Sequence, residues 1–232
     1  MSDLSRNIVL DVRPIVTPLG SPAPPLVLAD SSRYRNNGVV TGATWYQLPS
    51  GVWVFNHSGA DQYIDANGVL AVKSNTGTFM CWAYGSGSIL GLSNPAFALV
   101  YEYYVSIQTG VNIVSFIVGA NTQDLVTGVI MEANAWKHVA VSSNGATTSL
   151  VINGVPKALA GGPGNTGAWI DDLTVNPVTG VNTVEFGGLN RGGVHIVDLT
   201  GYTAGQRFFT PNLSVTEILQ IFEAEKRYFG VQ

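Results

Sequence analysis

Fifteen acidic residues, three histidines and one cysteine are the side chains of this chain that could carry acid–base, nucleophilic or metal chemistry. Retaining glycoside hydrolysis needs two carboxyl groups about 5 Å apart on one surface. Glu102, Glu132 and Glu185 each stand alone on their runs. Asp171 and Asp172 are adjacent, so on a strand they would point to opposite faces. His57, His138 and His195 lie at no local ligand spacing and accompany no nucleophile motif, which assigns them structural roles. Cys81, alone and set in Phe79-Met80-Cys81-Trp82-Ala83, reads as a buried strand thiol and excludes an internal disulfide. No residue set is therefore assigned to catalysis.

The aromatic residues are the other chemical resource. In Tyr101-Glu102-Tyr103-Tyr104 a strand places Tyr101 and Tyr103 on one face, with Glu102 and Tyr104 on the other. If one face is core and the other displayed, this run makes an exposed aromatic strip; the alternative is a contact between subunits.

The elements that must position these groups are strands. Trp136 to Val141, Asn144-Gly145, Leu150 to Ile152, then Asn153-Gly154 before Val155-Pro156-Lys157, reads as consecutive antiparallel hairpins. Asn-Gly supplies the two positive φ angles that a type I′ turn requires. From Leu26 to about Arg207, short β-rich runs alternate with turn clusters, the pattern of a sandwich. Ala160 to Gly167 is a rim loop on this reading. Residues 1–25 form an extended arm punctuated by Pro14, Pro18, Pro22, Pro24 and Pro25. Ile8, Val9, Leu10 and Val12 make its first half too apolar for a solvated tail, so it lies either on this domain or on a neighbouring subunit. Ser214 and Glu217 form a capping box for one C-terminal helix, with Ile218, Ile221 and Phe222 as its apolar stripe. Glu223, Glu225, Lys226 and Arg227 are expected on its solvated face.

Only 11% of residues are charged against 46% hydrophobic, so much of the surface is neutral, as on a recognition or assembly surface. A net charge of −4 with scattered basic residues excludes a phosphate-binding stripe and hence nucleic acid. No apolar run is long enough for membrane insertion. Met1 to Asn7 lacks the basic and apolar regions of a secretory signal, so the expectation is either a mature fragment or, as the initiator methionine favours, a protein used without the general secretion route.

Three segments together resemble the laminin G-like domains of the concanavalin A-like lectin/glucanase superfamily. They are Leu26 to Ile64, with Asp30, Asn36-Asn37-Gly38, Trp45 and Phe55-Asn56; Phe79 to Trp82 with Trp136 to Pro156; and Leu199 to Ile218. The resemblance implies an all-β fold, a two-sheet antiparallel jelly-roll sandwich over residues 26–232, with the Pro-rich arm and the C-terminal helix appended. It makes Trp82 and Trp136 core positions, and leaves Trp45, Trp53, Trp169, Tyr101, Tyr103 and Tyr104 as the candidates for glycan or partner contact. The superfamily's catalytic Glu-x-Asp-x-x-Glu is missing. Many relatives hold calcium, and one of their usual ligands falls here at Ala204; Asp30, Asn56 and Asp61 could preserve a site, or could simply make side-chain turns. No cofactor is required.

The expected role is a non-catalytic structural and adhesion protein on a virion surface, as a capsid decoration or tail component. It would contact other subunits through the arm and possible surface glycans through the sandwich. The alternative is a carbohydrate-binding domain of a larger secreted protein, extracellular in location; a degenerate glycoside hydrolase or lyase is a third.

Overall fold

The computed structural model describes residues 7–97, 101–108, 111–117, 123–127, 134–161 and 165–232. Its strands are β1 Ile8–Asp11, β2 Ile15–Val16, β3 Val39–Thr41, β4 Thr44–Gln47, β5 Val52–Ser58, β6 Tyr63–Asp65, β7 Gly77–Ser93, β8 Glu102–Gln108 and β9 Val111–Ile117. They continue with β10 Gln123–Thr127, β11 Lys137–Ser143, β12 Thr148–Ile152, β13 Val155–Lys157, β14 Ala160–Gly161, β15 Thr183–Phe186, β16 Leu189–Arg191, β17 Val194–Ile196 and β18 Thr200–Phe209. A short helix α1 spans Ile170–Thr174, and α2 spans Val215–Glu225. The chain is an all-β antiparallel jelly-roll sandwich.

The long strand β7 belongs to both layers. Its first half pairs with β11 on one side and β18 on the other, and its second half pairs with β8 and β15. The change of layer falls at Gly85 and Gly87, whose φ angles of 108° and 124° are inaccessible to most side chains. There the backbone meets Thr200 and Asp198 so closely that a Cβ would collide with their carbonyls. The first layer runs β13-β12-β11-β7-β18, then β5 and β4; the second runs β3-β6-β15-β7-β8-β9-β10-β14.

Between the layers, alternation buries Phe79, Cys81 and Ala83 of β7 with Phe208 of β18 against Ile64, Tyr103, Val184 and Phe186 of the second layer. Phe79 and Phe186 lie 6.0 Å apart and Phe208 and Phe186 6.3 Å apart, ring to ring. The opposite residues, Met80 and Trp82, point outwards and are covered by α2 and the residues that follow it. The first layer is thus buried on both faces over part of its area.

The second Asn-Gly turn matches its expected form: Asn153 and Gly154 have φ of 51° and 74°, and Ile152 pairs with Val155. The first does not. Between β11 and β12 lie four residues, held because Asn144 Oδ1 accepts from the backbone N–H groups of Ala146 and Thr147. Asp171 and Asp172 lie on α1 instead of a strand, where Asp172 accepts from the Trp169 backbone N–H. Ala160 and Gly161, expected in a rim loop, pair with β10; residues 162–164 lie outside the described residues, as does Glu132.

The arm takes the first of its two expected courses. Its β1 pairs with β18 and its β2 with β5, filling the space where those two strands diverge. Ile8, Val9, Leu10 and Val12 are buried. In α2 the stripe of Ile218 and Phe222 is buried, and so is Glu225, contrary to its expected place in solvent. The reason is spacing: residue 225 follows 218, 221 and 222 on the same helical face. There its carboxylate accepts from Trp82 Nε1 at 2.9 Å and from Arg207.

Candidate functional site

Alternation and register together build a line of side chains across the outer face of the first layer. Tyr202 of β18 pairs with Tyr84 of β7 on one side and with Asn56 of β5 on the other, and Asn56 pairs with Thr44 of β4. Trp136 precedes the pair Lys137–Ala83, which sets it beside Tyr84. Paired residues share a face, so Trp136, Tyr84, Tyr202, Asn56 and Thr44 form one row of about 19 Å, four interstrand spacings. Tyr46, opposite Val54 on the same face, flanks it.

The rings are coupled. Tyr202 lies 5.3 Å from Tyr46, 5.7 Å from Tyr84 and 6.1 Å from Trp136, and Tyr84 lies 5.7 Å from Trp136. Helix α2 and its C-terminal extension cover the neighbouring part of the face, where Phe229 stacks on Trp82 at 4.2 Å. Phe229 also touches Trp136 at 4.9 Å, and Tyr228 and Val231 pack beside it on the same cluster. Beyond it Tyr46 is 45% exposed, Thr44 is exposed, and Trp136, Tyr84, Tyr202 and Asn56 are half-buried. None of the polar tips in the row, including the Asn56 amide, makes a side-chain hydrogen bond among the described residues. Clustered, mutually tilted aromatic rings beside free amide and hydroxyl groups suit a ligand with apolar C–H faces and polar edges, which is the character of a sugar.

The residues singled out from sequence for glycan or partner contact lie elsewhere. Tyr103 is buried between the layers, edge-on to Trp169 at 5.7 Å, and Trp169 is buried with it. Tyr101 packs half-buried on the same core, and Tyr104 is half-buried on the other face of β8. Of the expected strip at Tyr101 to Tyr104, the inward residues pack on the core; on the outward side Glu102 is fully buried and held by Arg191 at 2.6 Å, which leaves Tyr104 as its half-buried member. Trp45 stacks on Phe55 at 3.9 Å and donates to the Pro25 carbonyl; Trp53 is buried and donates to Thr17 Oγ1 at 2.9 Å. Both tryptophans hold the arm and line a small cleft of about 160 Å³ beneath it. Trp82 is buried as expected, whereas Trp136 is only half-buried because the helix cover stops beside it.

Of the three oxygen ligands considered for calcium, Asp30 is buried and fully engaged. Its Oδ1 accepts from the N–H groups of Asp11 and Ser32, and its Oδ2 from Ser32 Oγ and the Asn36 N–H, all within 2.9 Å. Asn56 belongs to the aromatic row, and Asp61 is exposed beside His195 at 3.3 Å. Among the described residues no three His, Cys, Asp or Glu side chains are grouped so as to hold a metal ion.

The titratable residues have structural settings. His57 is buried between the Gln62 carbonyl at 3.1 Å and Thr203 Oγ1 at 3.0 Å, and burial pulls its pKa down to about 4. His138 is buried between Trp82 and Phe222; burial, aided by the Arg207 charge, pulls it down to about 3. Glu185 pairs across the strands with Asp65, and burial raises it to about 7, against the opposing pull of His195 at 3.3 Å. His195 stacks on Tyr63 at 4.2 Å. Glu102 is held by Arg191, and Glu185 lies beside Asp65 across the strands with His195 at 3.3 Å.

No protein-family model matches the chain, and no curated protein does. Solved structures do match in fold. A structure of botulinum neurotoxin type C, a toxin that enters cells through interaction with two ganglioside molecules, superposes with a TM-score of 0.64 at 13% identity over 97% of this chain. The binding domain of botulinum neurotoxin DC, in complex with rat synaptotagmin II, does so with 0.64 at 14% over 96%. The CBM40 of a Ruminococcus gnavus IT-sialidase, bound to α2,3-sialyllactose, gives 0.58 at 17% over 77% of this chain and 98% of its own. The chain spans 52% of the length of each of the two toxin structures. At these identities the likeness is one of fold: a β-sandwich shared with carbohydrate- and receptor-binding domains.

Proposed function

We propose that this chain is a non-catalytic glycan-recognition protein whose ligand lies along the row Trp136, Tyr84, Tyr202, Asn56 and Thr44. The observation that carries the reading is the row itself: coupled aromatic faces with free polar tips on a sheet face that the helix leaves open. Support comes from the fold neighbours, which include domains with ganglioside and sialyllactose ligands. The laminin G-like pattern in the sequence is in keeping with the same sandwich, and we retain it as the family reading.

The setting we propose is the outside of a virus particle, as a decoration or tail component; a glycan-binding domain of a larger secreted protein is the second reading. The arm bears on assembly through its second half only. Residues 8–12 are spent inside their own sheet, whereas Val16 and Leu19 stay exposed and are what a neighbouring subunit could bury. Calcium is not needed on this reading, because the Asp30 carboxylate is committed to four donors. Glycan-array binding followed by titration of a hit tests the proposal. Tyr202→Ala is expected to weaken binding about tenfold or more, and EDTA to leave it unchanged. Binding that survives Tyr202→Ala, or that EDTA abolishes, would overturn it.

A further inference from the structure

An open cavity of about 490 Å³ lies between α2, β1 and the loop after Asp30, away from the aromatic row. Three guanidinium groups line it, those of Arg13, Arg33 and Arg207, against two carboxylates, Asp11 and Glu225. Both carboxylates are already used. Asp11 accepts from Arg207 Nε at 3.0 Å through one oxygen and from Arg13 Nε at 2.8 Å through the other. Glu225 accepts from Arg207 through Oε1 and from Trp82 Nε1 through Oε2.

The arginines are not used up. Arg207 is more than nine-tenths buried, yet its Nη1 has no acceptor among the described residues. A buried guanidinium nitrogen without an acceptor calls for one, since buried polar groups are otherwise hydrogen-bonded. Arg13 is bonded only through Nε, leaving its two terminal nitrogens, and Arg33 is bonded only to the neighbouring Tyr34 hydroxyl. Each carboxylate oxygen here thus already accepts a hydrogen bond, whereas the unbonded N–H groups all belong to the arginines; the five groups carry one net positive charge, and planar guanidinium forks match a carboxylate. The lining also has an apolar wall of Ile8, Phe209 and Ile221, together with Gln220.

We infer that this cavity binds a carboxylate on a ligand of monosaccharide size, a carboxylated sugar, with the acid group on Arg13, Arg33 and Arg207 and its less polar face on the apolar wall. The inference rests on the cavity alone and is independent of the aromatic row. Titration with N-acetylneuraminic acid and with glucuronic acid, followed by isothermal calorimetry and by the arginine side-chain N–H signals in NMR, tests it. Binding is expected for one or both acids and not for galactose. The exposed variants Arg13→Gln and Arg33→Gln are each expected to weaken it about tenfold, and Arg207→Lys, which keeps the charge but loses the fork, to do the same. Tyr202→Ala is expected to leave it intact, which separates this site from the row. Inorganic phosphate binding as tightly as the acids, galactose binding equally well, or no response in the three arginine variants would overturn the assignment.

Discussion

His57 and His138 stay neutral in the folded protein because they are buried, and this has a sign in stability. Their folded pKa values, about 4 and about 3, lie below the ordinary 6.5. Their contribution is therefore complete above pH 6.5 and is lost as pH falls, at about 1.4 kcal/mol per pH unit for each. Glu185, raised from 4.5 to about 7, acts the other way: its contribution is present below pH 4.5 and is lost as pH rises through 7. Between pH 4.5 and 6.5 it offsets one histidine, so acidification is expected to cost stability at about the rate of one group. His138 makes no hydrogen bond through either ring nitrogen among the described residues. His138→Leu is accordingly expected to hold or raise stability at pH 7.5 and to flatten the acid loss; urea unfolding at pH 7.5 and 5.5 measures both. An unchanged pH slope would contradict the assignment. Arg191 holds the buried Glu102 with Nε and Nη2. Arg191→Met is expected to cost about 3 kcal/mol, and Glu102→Gln in the same chain to recover much of it.

At the scale of the element, each segment's identity follows from local chemistry, and its partners do not. Ser214 and Glu217 form the capping box expected from their spacing, and Ser214→Ala is expected to lower stability by about 1 kcal/mol in thermal unfolding. The hairpin at Asn153-Gly154, the buried strand thiol at Cys81 and the apolar stripe of α2 were all legible in the residues themselves. Glu225 was not, because its acidic type points to solvent and only the fold supplies Arg207 and Trp82 as partners. The arm was legible as an apolar, extended segment, but its burial in its own sheet depends on the divergence of β5 and β18. Leu10, fully buried there, is the test: Leu10→Ala is expected to cost about 3 kcal/mol. A loss of a few tenths would mean that β1 is not part of the core.

For the whole molecule, the sandwich could be read from strand spacing and turn residues, while the candidate site could not. Tyr84 and Tyr202 lie 118 positions apart in the sequence and meet only through the register of β7 with β18. Asn56 joins them through β5, and the openness of the row depends on where the cover by Phe229, Tyr228 and Val231 ends. Clustered aromatics such as Tyr101 to Tyr104 attract attention in a sequence, yet local clustering says nothing about which face a second sheet will cover. The tryptophans now separate the possibilities. Trp82 and Trp169 are in the core, Trp45 and Trp53 hold the arm, and Trp136 is in the row. The most direct measurement follows the five indole N–H signals by NMR while a glycan identified on the array is added. The Trp136 signal is expected to shift with ligand concentration while those of Trp82, Trp53 and Trp169 stay fixed. Saturable binding that moves the Trp45 and Trp53 signals and leaves Trp136 unmoved would contradict the account.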